Sequence, residues 1–170
     1  MPKPIINLQD LEFQQRAAPV TGPATQRYEA TFARVSPVIG ASQLGYNITA
    51  VPPGKRAFPF HNHRANEEMF FVLSGNGEIR IGTEIYPLRQ GDFVACPAGG
   101  PETAHQITNS GTEELRYLAV STQRVPEIWE YPDSGKFGAI SAFPAAGIDP
   151  ATQFRKFCRS SETVDYWDGE

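Results

Sequence analysis

From Glu29 to Ser121 the chain reads as short runs rich in β-branched and aromatic residues, each closed by Gly, Pro or Asn. No long segment repeats apolar residues at the three-to-four spacing of an amphipathic helix. The runs predict strands at Glu29–Arg34, Leu44–Val51, Ala57–His63, Glu68–Ser74, Gly77–Ile81, Glu84–Leu88, Phe93–Cys96, His105–Asn109 and Leu115–Ser121. Many short strands with regular turn signals define an all-β fold, a barrel or a sandwich. Ser74-Gly75-Asn76-Gly77 separates two such runs and predicts a tight hairpin, with glycine supplying positive φ. Gly82-Thr83 predicts the next link of a meander, and Arg89-Gln90-Gly91-Asp92 a further turn.

The run Met69–Leu73 is apolar at consecutive positions, so neither face of its strand is marked for water. One face belongs to the interior, and the other needs a second sheet, a terminal arm or a partner subunit. A homodimer is the preferred expectation, because two-fold dimers are the commonest assemblies. Residues 1–27 read as an N-terminal arm with a short helix around Leu8–Arg16, and 28–122 as the barrel. Residues 123–170 read as an extended segment packed on the barrel, with a helical turn at Thr152–Arg159. Tyr166-Trp167 and Trp129 read as aromatic packing at one end of the barrel.

Composition narrows the class further. The chain has 170 residues, enough for one well-buried domain with terminal extensions. Its 15 basic and 19 acidic residues leave a net charge of −4, with the basic ones scattered, which argues against nucleic acid as a partner. No apolar run approaches the roughly 20 residues that cross a bilayer, and the first residues lack a signal-peptide pattern, so a cytoplasmic protein without membrane contact is expected. Cys96 and Cys158 are far apart and match no thiolate metal spacing, which makes a free buried thiol the expectation for each.

The chain has three histidines, His61, His63 and His105. On a strand, residues i and i+2 share a face, so His61 and His63 project together and can chelate one divalent ion. Glu68 opens the following strand and, with Phe70 and Val72, can point into the same interior. His105 opens a later strand that a barrel can bring opposite. Three imidazoles and a carboxylate leave positions for water or substrate, as a catalytic metal requires. Glu67 competes for the acidic position. Glu102, in the loop before His105, and Tyr117 are the candidate acid–base groups, with Tyr46 and Tyr86 as further strand phenols. Gln106 should face away from the metal by alternation.

The set Gly54, His61, His63, Glu68 and Gly75 resembles the first motif of the cupin superfamily, and Gly91, Pro97, Gly99, His105 and Asn109 the second. Five residues separate Gly99 from His105, where members of the family commonly have two. The resemblance implies a double-stranded β-helix. It also implies one divalent metal (Fe, Mn, Ni, Co or Zn) on His61, His63, Glu68 and His105, the gap to Gly75 favouring Glu68 over Glu67. The run of motifs is similar to small bacterial cupins, some called sugar-phosphate isomerase-like. Two functions are therefore expected, a metal-dependent isomerase, epimerase or dioxygenase of a small molecule, or a non-catalytic binder of a sugar or organic acid. A metal-free barrel is the third.

Overall fold

In the computed structural model, which describes residues 2–15, 20–143 and 153–170, nearly all regular structure is β. The strands are β1 (Gln14–Gln15), β2 (Thr31–Arg34), β3 (Leu44–Val51), β4 (Asn62–His63), β5 (Glu68–Ser74), β6 (Asn76–Ile81) and β7 (Glu84–Arg89). They continue with β8 (Phe93–Cys96), β9 (His105–Thr108), β10 (Leu115–Thr122), β11 (Glu127–Tyr131), β12 (Lys136–Ile140) and β13 (Arg155–Arg159). One sheet runs β1-β2-β3-β10-β5-β8. The opposing layer comprises β7-β6-β9 and β13-β12-β11-β4, joined by an antiparallel bridge between His61 and His105. This is the double-stranded β-helix that the strand pattern and the motifs imply.

Alternation builds the core. Phe70 and Val72 from β5, Tyr117 and Ala119 from β10, Ile79 from β6 and Ile107 from β9 all turn inward and pack as one cluster with Val51, Leu88, Cys96 and Leu115. Fully burying an aliphatic side chain such as Val72 or Leu115 contributes about 1.5–3 kcal/mol. On the outer face of β5, Met69, Phe71 and Leu73 are half-buried, and Phe71 stacks on the exposed Phe93 of β8 at 4.4 Å.

Several expectations need correction. Ser74-Gly75-Asn76-Gly77 is not a hairpin, because β5 pairs with β10 and β8 while β6 pairs with β7 and β9. The turn instead carries the chain from one sheet to the other. Gly75 sits at φ +80, and a Cβ there would come within 2.6 Å of the Glu114 carbonyl oxygen. Gly82-Thr83, by contrast, does link a hairpin, with Ile81 opposite Glu84.

The strand expected over Ala57–His63 shrinks to Asn62–His63, with single bridges at Arg56 and His61. Pro59 within it has no N–H to offer a ladder. The segment after residue 122 is not merely extended but contributes β11, β12 and β13. The helical turn expected at Thr152–Arg159 is strand over Arg155–Arg159, Thr152 lying outside the described residues. Near the N-terminus, one 3₁₀ turn at Leu8–Asp10 and the two-residue β1 replace the expected helix, whose last residue, Arg16, is likewise outside them. Cys96 is buried but Cys158 is exposed. Tyr166 and Trp167 are exposed at 84% and 72% and pack edge-on against each other rather than on the barrel.

Candidate metal centre

The cavity inside the barrel has a volume of about 250 Å³. His61, His63, Glu68 and His105 all line it, together with Phe70 and Tyr117. Glu68 shares a face of β5 with Phe70 and Val72, so the first position of that strand puts a carboxylate where the next two put core side chains. His105 opens β9 in the same way ahead of Ile107. The five residues between Gly99 and His105 are taken up by a 3₁₀ turn at Pro101–Thr103, and the longer loop still delivers His105 to the cavity.

One ligand atom from each of His61, Glu68 and His105 lies within 4.8 Å of the others. His105 Nε2 is 2.9 Å from Glu68 Oε2, and His63 Nε2 is 3.3 Å from the same oxygen. The ring centroids of His61 and His63 are 5.1 Å apart, and those of His61 and His105 4.9 Å. His61 Nδ1 is 2.8 Å from the Pro59 carbonyl oxygen, which fixes the ring and leaves Nε2 for the cavity. Both ring nitrogens of His63 are buried and lack a well-aligned hydrogen bond. A buried imidazole held only by a long contact to a carboxylate gains when a further group takes its lone pair. The donor set therefore fits a borderline or harder divalent ion.

The electrostatics agree with a cation-seeking site. Burial lowers the His61 pKa to about 4, helped by the neighbouring His105 and His63, so this ring stays neutral at pH 7. Burial opposes ionisation of Glu68, yet the contacts from His105 and His63 outweigh it and hold the carboxyl well below the usual range. For His105, burial again disfavours the charge, but the Cys96 thiol and the Glu68 carboxylate prevail and raise its pKa.

The other candidates separate clearly. Tyr117 is buried in the cavity wall, edge-on to Phe70 at 5.6 Å. Glu102 does not line the cavity. Its exposed carboxyl accepts the Gly100 N–H at 2.9 Å, and bonds to that group and to its own backbone N–H lower its pKa. Glu67 is exposed, so the acidic position goes to Glu68. Tyr86 is half-exposed on β7, and Tyr46 lies on β3 away from the cavity lining. Gln106, expected to face away, also lines the cavity, and its amide Nε2 donates to the Phe58 carbonyl oxygen at 2.8 Å.

Of the upper part of the cavity, sequence reasoning anticipated Trp129 as packing at one end of the barrel and missed the rest. Trp129 and Tyr131 from β11 and Arg155 and Phe157 from β13 all line it, and Trp129 stacks on Phe157 at 6.2 Å. Trp129 lies opposite His63 in the β11–β4 ladder. The run Glu127-Ile-Trp-Glu-Tyr carries a period-two signal that places Glu127, Trp129 and Tyr131 on one face. Glu127 is fully buried and supports the ligand loop. Its Oε1 accepts the N–H groups of Arg64 and Ile128 at 3.0 Å, and Oε2 accepts from the Asn66 amide.

A double-stranded β-helix with histidines and a carboxylate gathered in its interior defines a class of small β-barrel proteins with a candidate metal pocket. Residues 47–121 match the family described as Cupin domain. An uncharacterised protein of Methanocaldococcus jannaschii is 32% identical over 71 residues, 42% of this chain and 54% of that protein. An oxalate-binding protein of Thermotoga maritima is 30% identical over 70 residues, 41% of this chain and 54% of the other. The match thus spans about half the length of these curated relatives. Among solved structures, a sugar phosphate isomerase from a cupin superfamily, from Silicibacter pomeroyi, superposes with a TM-score of 0.74 at 24% identity, covering 97% of this chain and 98% of that one. That likeness is one of fold, and it takes in the terminal segments as well as the barrel.

Proposed function

We propose that this protein holds one divalent metal ion on His61, His63, Glu68 and His105 and acts on a small molecule bound above it. The observation that carries the reading is the convergence of these donors on one cavity, where one ligand atom each of His61, Glu68 and His105 lies within 4.8 Å of the others and His63 Nε2 is 3.3 Å from Glu68 Oε2. A divalent ion there supplies a Lewis acid for a carbonyl or paired hydroxyls, or, if iron, a redox centre. Phe58, Phe70, Trp129 and Phe157 exclude water from the reacting atoms. Tyr117 is the group placed to give or take a proton within the cavity. The sugar phosphate isomerase of matching fold favours proton transfer next to a carbonyl, as in an isomerase or epimerase, over dioxygenase chemistry.

Metal analysis of protein purified without chelator tests the first part, with one equivalent of divalent ion expected and its absence refuting it. A sugar-phosphate panel followed by proton exchange in heavy water tests the isomerase chemistry. Oxygen uptake by the iron-loaded protein tests the alternative. A second reading, a non-catalytic binder of a small organic acid, is supported by the oxalate-binding relative and by the lack of a cavity-lining carboxylate other than Glu68 among the described residues. Ligand-induced stabilisation with no turnover in either panel favours it. We also propose a homodimer that covers Met69, Phe71 and Phe93, and a solution mass equal to one chain would refute it.

A further inference from the structure

The two ends of the cavity differ in charge. At its floor, Glu68 and the three histidines converge. Among the described lining residues, the one further charged side chain is Arg155, at the start of β13. Its guanidinium lies 5.5 Å from the centre of the Phe157 ring, and no carboxylate among the described residues comes within ion-pair distance of it. Between floor and mouth the walls are aromatic, formed by Phe58, Trp129, Tyr131 and Phe157. The volume of about 250 Å³ lies just below the roughly 300–1,000 Å³ of pockets that take drug-sized ligands, which suits a small molecule.

We propose that Arg155 is the anion anchor of this cavity, and that the guest is a small molecule with an oxyanion at the end remote from the metal. The inference rests on the metal-centre reading for the near end of the guest. A guanidinium presents a planar fork of N–H groups that pairs bidentately with a carboxylate or a phosphate, and stacking on Phe157 pre-orients it. Arg155 is exposed and has no ion pair among the described residues, so its guanidinium is available to an anionic group of the guest. Arg155 comes from the segment that follows the cupin domain at residues 47–121, so the barrel supplies the metal end and the C-terminal sheet selects the tail.

The test uses the zinc-loaded full chain with Trp167→Phe, so that fluorescence reports Trp129. Succinate is compared with butyrate, and glycerol 3-phosphate with glycerol. At least one anionic-tailed probe is expected to bind ten-fold or more tighter than its neutral-tailed counterpart, and which pair shows it distinguishes carboxylate from phosphate. Arg155→Met should abolish that preference while leaving zinc stoichiometry and butyrate binding unchanged, and Arg155→Lys should retain part of it. Equal affinities within both pairs, or a preference that survives Arg155→Met, would overturn the proposal, as would failure of both anionic probes to bind. If zinc does not bind, the metal reading fails by itself. The ratio of glycerol 3-phosphate to glycerol binding and its dependence on Arg155 then still decide this inference in the metal-free chain.

Discussion

Replacing Glu127 by Gln removes one oxygen from the carboxyl group and almost no volume, yet it should be among the most damaging conservative changes in the chain. Oε1 of Glu127 accepts backbone N–H groups from Arg64 and Ile128, and Oε2 accepts from Asn66 Nδ2. Asn66 cannot turn its amide round to help. Its Oδ1 accepts the Arg124 N–H at 2.7 Å and the Thr122 hydroxyl at 2.9 Å, and its Nδ2 also donates to the Arg124 carbonyl oxygen. A glutamine amide at 127 therefore meets donors in either orientation, Asn66 on one side or the backbone of Arg64 and Ile128 on the other. Leaving a buried donor without its acceptor costs about 1–3 kcal/mol, and a bond to a charged acceptor contributes about 1.5–3 kcal/mol. The expected destabilisation is about 2–4 kcal/mol, a large share of the 5–15 kcal/mol typical of a whole domain. For a chain of this length that lowers the melting temperature by roughly 4–16 °C. Urea unfolding followed by both tryptophan fluorescence and circular dichroism measures it, with Glu130→Gln as the half-exposed control showing a much smaller change. A loss below about 0.5 kcal/mol for Glu127→Gln would refute the accounting.

Four further outcomes are expected. His105→Ala should weaken metal binding at least ten-fold by competition against a chromophoric chelator, whereas Tyr117→Phe should leave it unchanged; equal effects would contradict the assignment of the donors. Because Glu68 and Cys96 raise the His105 pKa, metal binding near pH 7 should release about one proton into weakly buffered solution, and no release would contradict this pairing. The metal-free chain should be most stable near pH 6.5. Below that value His61, folded at about 4, resists the proton that the unfolded chain accepts, and above it the His105 contribution is lost as pH rises towards its raised folded value. Denaturant midpoints between pH 5 and 9 measure this, and a midpoint still rising at pH 9 without metal would refute it. Gly138→Ala should destabilise the chain by about 1–3 kcal/mol and shift Trp129 fluorescence, since its Cβ would sit 2.6 Å from the Phe157 ring and 3.1 Å from Trp129. An unchanged emission spectrum would show that the ring stack does not feel this strand.

The barrel was legible because its strands are punctuated. Leu44–Val51, Glu68–Ser74 and Phe93–Cys96 have the bounds that their flanking Gly, Pro and polar residues imply. The clustering of His61, His63, Glu68 and His105 on one cavity was legible for a similar reason, since His61, His63 and Glu68 fall at strand spacings and their framing glycines are local. Pairing between sheets was harder to read. A glycine turn looks the same whether it closes a hairpin or turns a corner, and only the long-range ladders of β5 and β6 decide which. The upper cavity escaped because Pro126 and Pro132 leave β11 only five residues in which to show its period, and because β13 was read as helix. Glu127 carried no signal of its role at all, as its partners Arg64 and Asn66 lie some sixty positions away.

The β11–β4 ladder has a mechanical consequence. Trp129, in the wall of the upper cavity, and His63, at its floor, are cross-strand partners in one short ladder, so a guest that moves the first must tug on the second. If the proposed metal site holds, a substitution in the outer strands would shift His63 without touching any of the four candidate donors.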